Sequence, residues 1–375
     1  MDELLFLTHR LPYPPNKGDK IRSWHWLRHL SGRYRVHLGT FIDDPADWRY
    51  ADAVRRCCGE TCLVPLHPRR ARLRSLTGLL RGEALTLAYY RSAALQGWID
   101  GLLERTAVDR VLVFSSAMAQ FVQGPRYRRL RRIVDFVDVD SAKWSQYALT
   151  RPWPMSAVYR REAGALLRFE RMTAAAAAAS VFVSAEEAAL FRQLAPEAAA
   201  TLAIANGVDT DYFDPQRDYP DPYPAAAPVL AFTGAMDYWP NVDAVCWFAG
   251  AVLPLVRQAL PQAQFYVVGA RPAAAVRRLA ARPGVTVTGA VADVRPYLAH
   301  AGAAVAPLRI ARGVQNKVLE AMAMARPVLA TRAAMDGILP CPDLQHLVAD
   351  DPHRLAGQAV ALLAEGDRGG AGRRG

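Results

Sequence analysis

Short hydrophobic runs alternate with longer amphipathic stretches along most of the chain. Runs at residues 4–8, 36–41 and Arg110–Phe114 have the length and apolar content of buried strands, and the stretches between them have the composition of helices. Strands that alternate with helices indicate an α/β fold with parallel sheets. Further strands are predicted at residues 61–66, 132–137, 180–184, 229–233, 265–269, 285–289 and 327–331.

The segment 303–331 is the most informative part of the chain. A predicted strand at 303–307 is followed by a loop with Gly313, by a helix over 316–325 and, after Pro327, by a second strand. Ligands of parallel α/β sheets bind at the carboxyl ends of the strands. A glycine in this loop lets a ligand approach the backbone, and the free N–H groups at the helix start favour an anion.

One face of this predicted helix carries Asn316, Lys317 and Glu320, at spacings of three and four residues. Lys317 can neutralise a phosphate, and Glu320 can accept hydrogen bonds from vicinal hydroxyls such as those of ribose. The alternative is an ordinary Lys–Glu pair on a solvated face. The alanines and methionines of the helix indicate that it is mostly buried, where an unpartnered glutamate is costly. The pattern therefore favours a ligand.

Charged residues also follow the first predicted strand. The loop that leads into a predicted helix at 21–31 contains Lys17 and Lys20, and Arg22 lies in that helix. The loop lacks the Gly-x-Gly-x-x-Gly pattern of dinucleotide-binding folds. These cations either contact a phosphate or are solvated loop charges, and the sequence leaves both alternatives open.

Asp138 and Asp140 form an Asp-x-Asp pattern after the strand predicted at 132–137. A single pattern of this kind has low specificity for a metal. Asp138 is either a functional carboxylate at a strand end or the cap of the next helix.

The stretch 68–82 places Leu73, Leu76 and Leu80 on one side of a predicted helix. Four arginines surround them: Arg69, Arg70, Arg72 and Arg74. This arrangement suits either an interfacial helix at a membrane or a surface helix that faces the core.

The composition is that of a globular protein with a basic bias. The 375 residues are 52% hydrophobic and 22% charged, enough for two domains, with a net charge of +11. Residues 1–150 hold 24 basic and 15 acidic residues, so the basic excess lies mainly in the first half. It could face anionic lipid or a phosphorylated acceptor. We find no nucleic-acid-binding motif and expect no nucleic-acid partner.

The five cysteines are odd in number and lack the spacing of a metal site, which suggests thiols in a reducing compartment. No signal peptide precedes the first predicted strand, and the most apolar run, 173–183, is too short to span a bilayer. We therefore expect a cytoplasmic protein, at most peripheral on the inner face of the cell membrane.

The sequence GVQNKVLEAMAMARPVLAT, residues 313–331, resembles the donor-binding segment of glycosyltransferase family 4, which has the GT-B fold. The family has two glutamates eight positions apart. The resemblance places Glu320 on the nucleotide ribose, at the second of these positions. The first falls on Arg312, so the usual contact with the donor sugar is replaced.

The resemblance extends over nearly the whole chain. ANGVDTDYFDP, residues 205–215, is similar to the turn that closes the family's first domain. By the same resemblance Gly18 lies near the donor diphosphate, Asp138 at the junction of donor and acceptor, and Gly289 and Val291 near the nucleobase through backbone atoms.

The family commonly places an arginine and a lysine after the strand that ends before Gly234. This chain has Ala235-Met236-Asp237 there instead, with Pro240-Asn241 following. We expect Gly234 and Asn241 to line the donor site. Lys317 and Arg309 then supply the positive charge for the diphosphate. Lys317 is the expected catalytic residue, because it stabilises the negative charge on the leaving group.

The resemblance implies two Rossmann-like domains whose parallel sheets face each other across a cleft. The predicted boundaries are residues 1–205 for the acceptor domain, 206–227 for a linker, 228–350 for the donor domain and 351–375 for a final helix and flexible tail. The helix is predicted at 350–363 and could cross back to the first domain.

The implied function is transfer of a sugar, with retention and without a metal or cofactor, from a nucleotide sugar to an exopolysaccharide or lipid-linked precursor. HRLPYPPNKGDKIRSWHWLRHL and VDFVDVDSAKW are similar to the transferases associated with exosortase and PEP-CTERM systems. The alternatives are a nucleotide-sugar epimerase of the same fold and a non-catalytic sugar-nucleotide-binding subunit, the latter motivated by Arg312.

Overall fold

The computed structural model describes residues 1–15, 18–224, 227–311, 313–338 and 346–371, with the backbone alone for 365–371. The chain divides into two compact units, Met1–Ala205 and Asn206–Gly375. Each unit is a parallel sheet covered by helices.

The sheet of the first unit has seven strands among the described residues, in the order β3-β2-β1-β4-β5-β6-β7. All neighbouring pairs are parallel. The strands are β1 Glu3–Thr8, β2 Arg35–Ile42, β3 Thr61–Pro65, β4 Arg110–Phe114, β5 Arg131–Val137, β6 Ala179–Phe182 and β7 Thr201–Ala203. The central strands are apolar because helices cover both faces, and Leu5, Phe6 and Leu7 are fully buried.

The helices of the first unit lie between these strands. They are α1 Gly18–Ser31, α2 Ala51–Arg55, α3 Pro68–Ser75, α4 Thr77–Leu80, α5 Leu85–Tyr90, α6 Ala93–Arg105, α7 Asp140–Thr150, α8 Met155–Ala176 and α9 Ala185–Leu194. Short 3₁₀ turns occupy Pro45–Tyr50, Ser116–Val122 and Pro125–Tyr127. The sequence pattern predicts a helix at 47–56, and the structure has a 3₁₀ turn followed by α2 there.

The described sheet of the second unit has five parallel strands in the order β10-β9-β8-β11-β12. The strands are β8 Val229–Thr233, β9 Gln264–Val268, β10 Val285–Gly289, β11 Ala303–Ala306 and β12 Val328–Ala330. The helices are α10 Trp239–Trp247, α11 Leu253–Ala259, α12 Ala274–Leu279, α13 Arg295–His300, α14 Asn316–Ala323 and α15 Pro352–Ala371. A π turn, Phe248–Val252, joins α10 to α11.

The predicted strand, loop, helix and strand over 303–331 are confirmed as β11, α14 and β12. The helix ends two residues earlier than predicted, at Ala323, because Ala325 takes a positive φ of 51° ahead of Pro327. The final helix α15 is longer than predicted. Its residues Leu355, Ala359 and Leu363 are buried in the core of the second unit.

Among the described residues, one helical run, Trp239–Ala259, is long and apolar enough to cross a membrane by length and composition. Half of that window is buried inside the protein. Phe248, Val252 and Val256 belong to the core of the second unit and are fully buried. The run is thus accounted for as a core helix.

Two cations near the first strand have structural partners. Lys20 is 2% exposed, and its ammonium lies 2.5 Å from a carboxylate oxygen of Asp47. Arg22 donates to Asp135 at 2.7 Å and to the carbonyl oxygen of Ile204 at 2.8 Å. Both sequence-based interpretations, a phosphate contact and a solvated charge, are therefore wrong for these two residues. Lys17 lies outside the described residues.

The leucines of the stretch 68–82 face solvent. The exposed fraction is 71% for Leu73, 52% for Leu76 and 92% for Leu80. The interpretation in which these leucines face the core is therefore wrong. The stretch forms α3 and α4 rather than one helix, with Leu76 between them.

Candidate functional site

The carboxyl edge of the second sheet is lined by glycines. Gly234 and Gly269 follow β8 and β9 directly, and Gly289 ends β10, with φ values of 154°, 156° and 72°. A side chain on Gly269 would place its Cβ 1.7 Å from the carbonyl oxygen of Gly234. The two strand ends can approach this closely only because Gly269 has no side chain. The result is an edge where backbone groups are accessible.

Gly234, Asn241 and Lys317, three of the predicted site residues, meet at this edge. A Cβ on Gly234 would lie 2.8 Å from the amide nitrogen of Asn241, so the glycine makes room for that amide. The amide donates to the carbonyl oxygen of Ala235 at 2.9 Å and accepts from the Lys317 ammonium at 2.9 Å. Asn241 is 5% exposed. Its buried amide therefore fixes the position of the lysine.

The helix α14 begins at Asn316, after a loop in which Gly313 has a φ of 63°. Gln315 precedes the helix, and its side chain donates to the Gly313 carbonyl at 3.1 Å rather than capping the helix start. Asn316 accepts from Asn206 at 3.2 Å. The start of α14 thus has no side-chain cap, an arrangement that suits an anion beside Lys317.

Lys317 and Glu320 are half-buried on the same face of α14. Burial lowers the pKa of Lys317 to about 8, against the attraction of Glu320. Burial likewise raises the pKa of Glu320 to about 7, against the attraction of Lys317. None of the ion pairs among the described residues joins the two groups. Each charge is therefore held in a site that disfavours it, which is typical of functional residues.

Other cations at this edge have acidic partners. Arg309 donates to Asp243 at 3.0 Å, so a diphosphate would compete with that carboxylate for the guanidinium. Arg271, which follows β9, lies 2.7 Å from Asp237. Sequence reasoning missed Arg271, although its place just after a predicted strand could have indicated it. Arg312 lies outside the described residues.

Gly289 and Val291 lie at and just after the end of β10, the outermost strand of the sheet on one side. The carbonyl oxygen of Gly289 accepts from the Gly269 N–H at 3.1 Å, and a Cβ on Gly289 would contact nothing within 4 Å. Val291 packs with Tyr266 and Val294 in a small apolar cluster. Gly289 is therefore open to a ligand, whereas the side chain of Val291 has a packing role.

The carboxyl edge of the first sheet contains Gly18 and Asp138. Gly18 is exposed as the first residue of α1. Asp138 follows β5 directly, and Val139, not Asp138, precedes the first helical residue of α7. Asp138 therefore lies one residue before the N-cap position of α7.

Two strand ends in the first unit have strained backbones. Val137 at the end of β5 has a φ of 71°, and Ser115 after β4 has a φ of 76°. The pairing of β5 with β6 also shifts register between Asp135 and Val137. Positive φ values are rare for residues with side chains and cost about 1–3 kcal/mol, and they cluster at functional sites. The strained backbone therefore makes this edge of the sheet, where Asp138 lies, a candidate functional site.

A polar group after β1 was missed by sequence reasoning. His9 lies 3.2 Å and Arg10 2.9 Å from the same carboxylate oxygen of Asp19. Burial would raise the pKa of Asp19, but the hydrogen bonds and charges of His9 and Arg10 hold it well below its usual range. The signal was present, because His9 and Arg10 come directly after the first predicted strand.

A second missed group lies at the start of α7. Burial, with the nearby charge of Asp140, raises the pKa of Glu170 to about 8, although Ser141 donates to it. Burial also raises the pKa of Asp140, the second aspartate of the Asp-x-Asp pattern. Glu170 is distant in sequence, on α8, so no local pattern indicates this pairing.

Comparisons with known proteins agree with this geometry. Residues 227–365 match the family model described as "Glycosyl transferases group 1". None of the curated proteins matches the chain.

Solved structures share the fold at low sequence identity. Sucrose-phosphate synthase from Thermosynechococcus elongatus has 16% identity and a TM-score of 0.68, covering 97% of this chain and 90% of that one. Anabaena Alr3699/HepE, in complex with UDP and glucose, has 14% identity and a TM-score of 0.64, covering 98% and 91%. WaaG, a glycosyltransferase involved in lipopolysaccharide biosynthesis, has 17% identity and a TM-score of 0.61, covering 97% and 91%. Residues 227–365 are therefore similar to a glycosyltransferase group 1 domain, and the chain has an α/β fold, with two sheets of parallel strands, that matches GT-B glycosyltransferases.

Proposed function

We propose that this protein is a retaining glycosyltransferase that moves a sugar from a nucleotide-sugar donor to an exopolysaccharide or to its lipid-linked precursor. The observation that carries the proposal is the charged face of α14. Lys317 and Glu320 lie there, inside the region that matches the glycosyltransferase family model. Burial shifts the pKa of each group toward its neutral form. An anion beside Lys317 and vicinal hydroxyls beside Glu320 are the two features of a nucleoside diphosphate that this face suits.

In the proposed reaction the donor diphosphate leaves with growing negative charge. Lys317, fixed by Asn241, and the start of α14 stabilise that charge, which lowers the barrier because the interaction strengthens in the transition state. Arg309 contributes once it exchanges Asp243 for a phosphate oxygen. The departing diphosphate helps to accept the proton of the acceptor hydroxyl. The reaction as proposed requires no metal and no cofactor.

The finer assignments follow the sequence patterns. We place the protein with the transferases associated with exosortase systems, as a hexosyltransferase of the cytoplasm with peripheral contact to the inner face of the cell membrane. The nucleotide complexes of HepE support a nucleotide sugar as the donor.

Thermal shift with UDP, GDP and TDP derivatives tests the donor side of the proposal. A nucleotide present at 100 times its dissociation constant should stabilise the fold by about 2.7 kcal/mol. Incubation of the best nucleotide sugar with and without acceptor then separates the activities. Transfer requires an acceptor, whereas an epimerase converts the sugar alone. Binding without turnover over an acceptor panel would indicate a non-catalytic subunit.

Replacing Asp138 with asparagine should lower turnover and leave nucleotide affinity nearly unchanged. Its position after the strained end of β5 suits a carboxylate that orients the acceptor hydroxyl or steadies positive charge on the sugar. The measurement is kcat and, separately, the nucleotide Kd, each determined for Asp138→Asn and for the control Asp109→Asn. Asp109 is an exposed aspartate before β4, at the opposite end of the strands. Normal turnover of Asp138→Asn would remove Asp138 from the reaction.

A further inference from the structure

Leucines of α3, of α4 and of the residue between these helices are exposed on the first unit. Leu73, Leu76, Leu79 and Leu80 are 71%, 52%, 44% and 92% exposed. Four leucines within eight residues form a patch of a kind that soluble monomers rarely expose without a function. Their exposure is therefore the first sign of an interaction surface.

The patch is held in place by the backbone around it. Arg74 donates to the carbonyl oxygens of Ala88 at 3.3 Å and Tyr89 at 2.7 Å, and Ala71 and Ser75 on the opposite side of α3 are buried. The leucines are thus presented outward from an anchored helix.

A second exposed apolar segment lies at the turn between α7 and α8. Leu149 is 88% exposed, Trp153 81% and Met155 42%. A tryptophan has an apolar body and a polar N–H, which makes it favourable at a boundary between water and lipid.

The two segments are neighbours in the first unit. Arg161 on α8 donates to the carbonyl oxygens of Gly78 at 2.9 Å and Glu83 at 3.1 Å, so the α4 region packs beside the early turns of α8. Met155 begins α8 six residues before Arg161, which is about 9 Å along the helix axis. Both apolar segments therefore border the same helix start.

The two stretches that carry these apolar segments contain only basic charges. Residues 61–82 contain five arginines and residues 141–161 contain three arginines and one lysine, and neither stretch contains an aspartate or a glutamate. Arg69, Arg70 and Arg72 are exposed, and none of them takes part in an ion pair with a described residue. Such a surface attracts anions over a distance of about 10 Å.

We propose that this surface, formed by α3, α4 and the turn between α7 and α8, docks the protein on an anionic lipid bilayer. Leucines and Trp153 enter the interface while the arginines remain at the level of the lipid phosphates. A second copy of the chain fits less well, because a symmetric contact would bring the arginines of both copies together. The inference rests on the peripheral membrane contact included in the proposed function, and it is independent of the transfer reaction.

Flotation with vesicles tests the docking directly. The full chain should float with vesicles of 30% phosphatidylglycerol and 70% phosphatidylcholine at low salt. It should float poorly with phosphatidylcholine alone and be released from the anionic vesicles as salt rises, because the attraction is screened. Failure to float with anionic vesicles, or flotation that ignores salt, would overturn the proposal.

Matched variants locate the surface. Substitution of Arg69, Arg70 and Arg72 together by glutamine should weaken vesicle binding about 100-fold at low ionic strength, since each neutralised arginine contributes roughly fivefold. The control replaces three exposed arginines elsewhere in the first unit, Arg128→Gln, Arg129→Gln and Arg131→Gln, and removes the same charge. Equal weakening by both triple variants would show that only net charge matters and would overturn the assignment of this surface.

The apolar part has its own variant and readout. Leu73→Ser with Leu76→Ser and Leu80→Ser should weaken binding to the anionic vesicles at least about tenfold at low salt, because the apolar contribution is lost while the arginines remain. Brominated lipids should quench the fluorescence of Trp153, measured as the difference between the full chain and Trp153→Phe.

Three results of these assays would count against docking. They are a lack of quenching, leucine variants that bind vesicles normally, and leucine variants that lose only self-association in sedimentation. Nucleotide thermal shift of all these variants should equal that of the unmodified chain. A failure of docking is thereby separated from a failure of the transferase proposal.

Discussion

Replacing Lys317 with alanine should weaken binding of the nucleoside diphosphate by about 10- to 150-fold. The estimate corresponds to a charge-assisted contact of roughly 1.5–3 kcal/mol. The ammonium is fixed by Asn241 and lies 5.0 Å from the ring centre of Phe232, so little flexibility is lost when a phosphate binds. The alanine variant should also lose turnover beyond its loss of affinity, because charge on the leaving group grows in the transition state.

Glu320→Gln should weaken binding of the same nucleotide with no added loss in turnover. Glutamine keeps the shape of the side chain but removes the charge and one acceptor for the ribose hydroxyls. Met322→Gln is the matched control, because Met322 lies on the same helix, is 36% exposed and has no assigned role. Calorimetric titration of the three variants with the diphosphate provides the measurement. Unchanged affinity in both Lys317→Ala and Glu320→Gln would remove the central argument for the donor site.

The stability of Glu320→Gln offers an independent check. The folded-state pKa of Glu320 is raised from 4.5 to about 7, so the folded protein keeps a proton that the unfolded chain releases. The contribution of Glu320 to stability is complete below about pH 4.5 and is lost as pH rises through about 7. Glu320→Gln should therefore gain stability over the unmodified chain across this range. A solvated salt bridge would instead give changes below about 1 kcal/mol and normal binding.

Gly269→Ala should cost more than about 4 kcal/mol of stability or prevent folding of the second unit. The new Cβ would lie 1.7 Å from the carbonyl oxygen and 2.8 Å from the carbonyl carbon of Gly234. These atoms cannot move easily, because the Gly234 N–H donates to Val268 and the Gly269 N–H donates to Gly289. Backbone atoms in a central strand end have no alternative rotamer, so the clash must be relieved by separating β8 from β9.

Two other glycines provide the controls, with urea denaturation as the measurement. Gly289→Ala has space for its Cβ and a φ of 72°, so it should cost only about 1–2 kcal/mol of backbone strain. Gly97→Ala lies within α6 with nothing near its Cβ and should stabilise the protein by about 0.5–1 kcal/mol. A Gly269→Ala variant as stable as Gly289→Ala would contradict the close contact of the two strand ends.

The strands of both sheets and the elements of the segment 303–331 could be predicted because their sequence signals are local. An apolar run gives a strand, Pro327 ends a helix, and spacings of three and four residues bring Lys317 and Glu320 to one face. Asn241 illustrates the limit of this reasoning. Its predicted place near the donor came from a resemblance, whereas its observed bond to Lys317 joins residues that are 76 positions apart.

The surface patterns were ambiguous for a physical reason. A leucine stripe has the same spacing whether it faces a core or a membrane, and only the exposure of Leu73 and Leu80 separates the two. Likewise, a charged residue near a strand end looks like a ligand contact until its acidic partner is known. Lys20 with Asp47 and Arg309 with Asp243 are both pairs of this kind.

The bond between Arg22 and Ile204 has a consequence for synthesis of the chain. The guanidinium of Arg22 is buried near the start of the first unit, and one of its donors is satisfied by a residue at the very end of that unit. During synthesis, Arg22 therefore lacks one of its hydrogen-bond acceptors until Ile204 has left the ribosome. Because unsatisfied buried donors cost about 1–3 kcal/mol, the first unit reaches full stability only when its last strand has emerged.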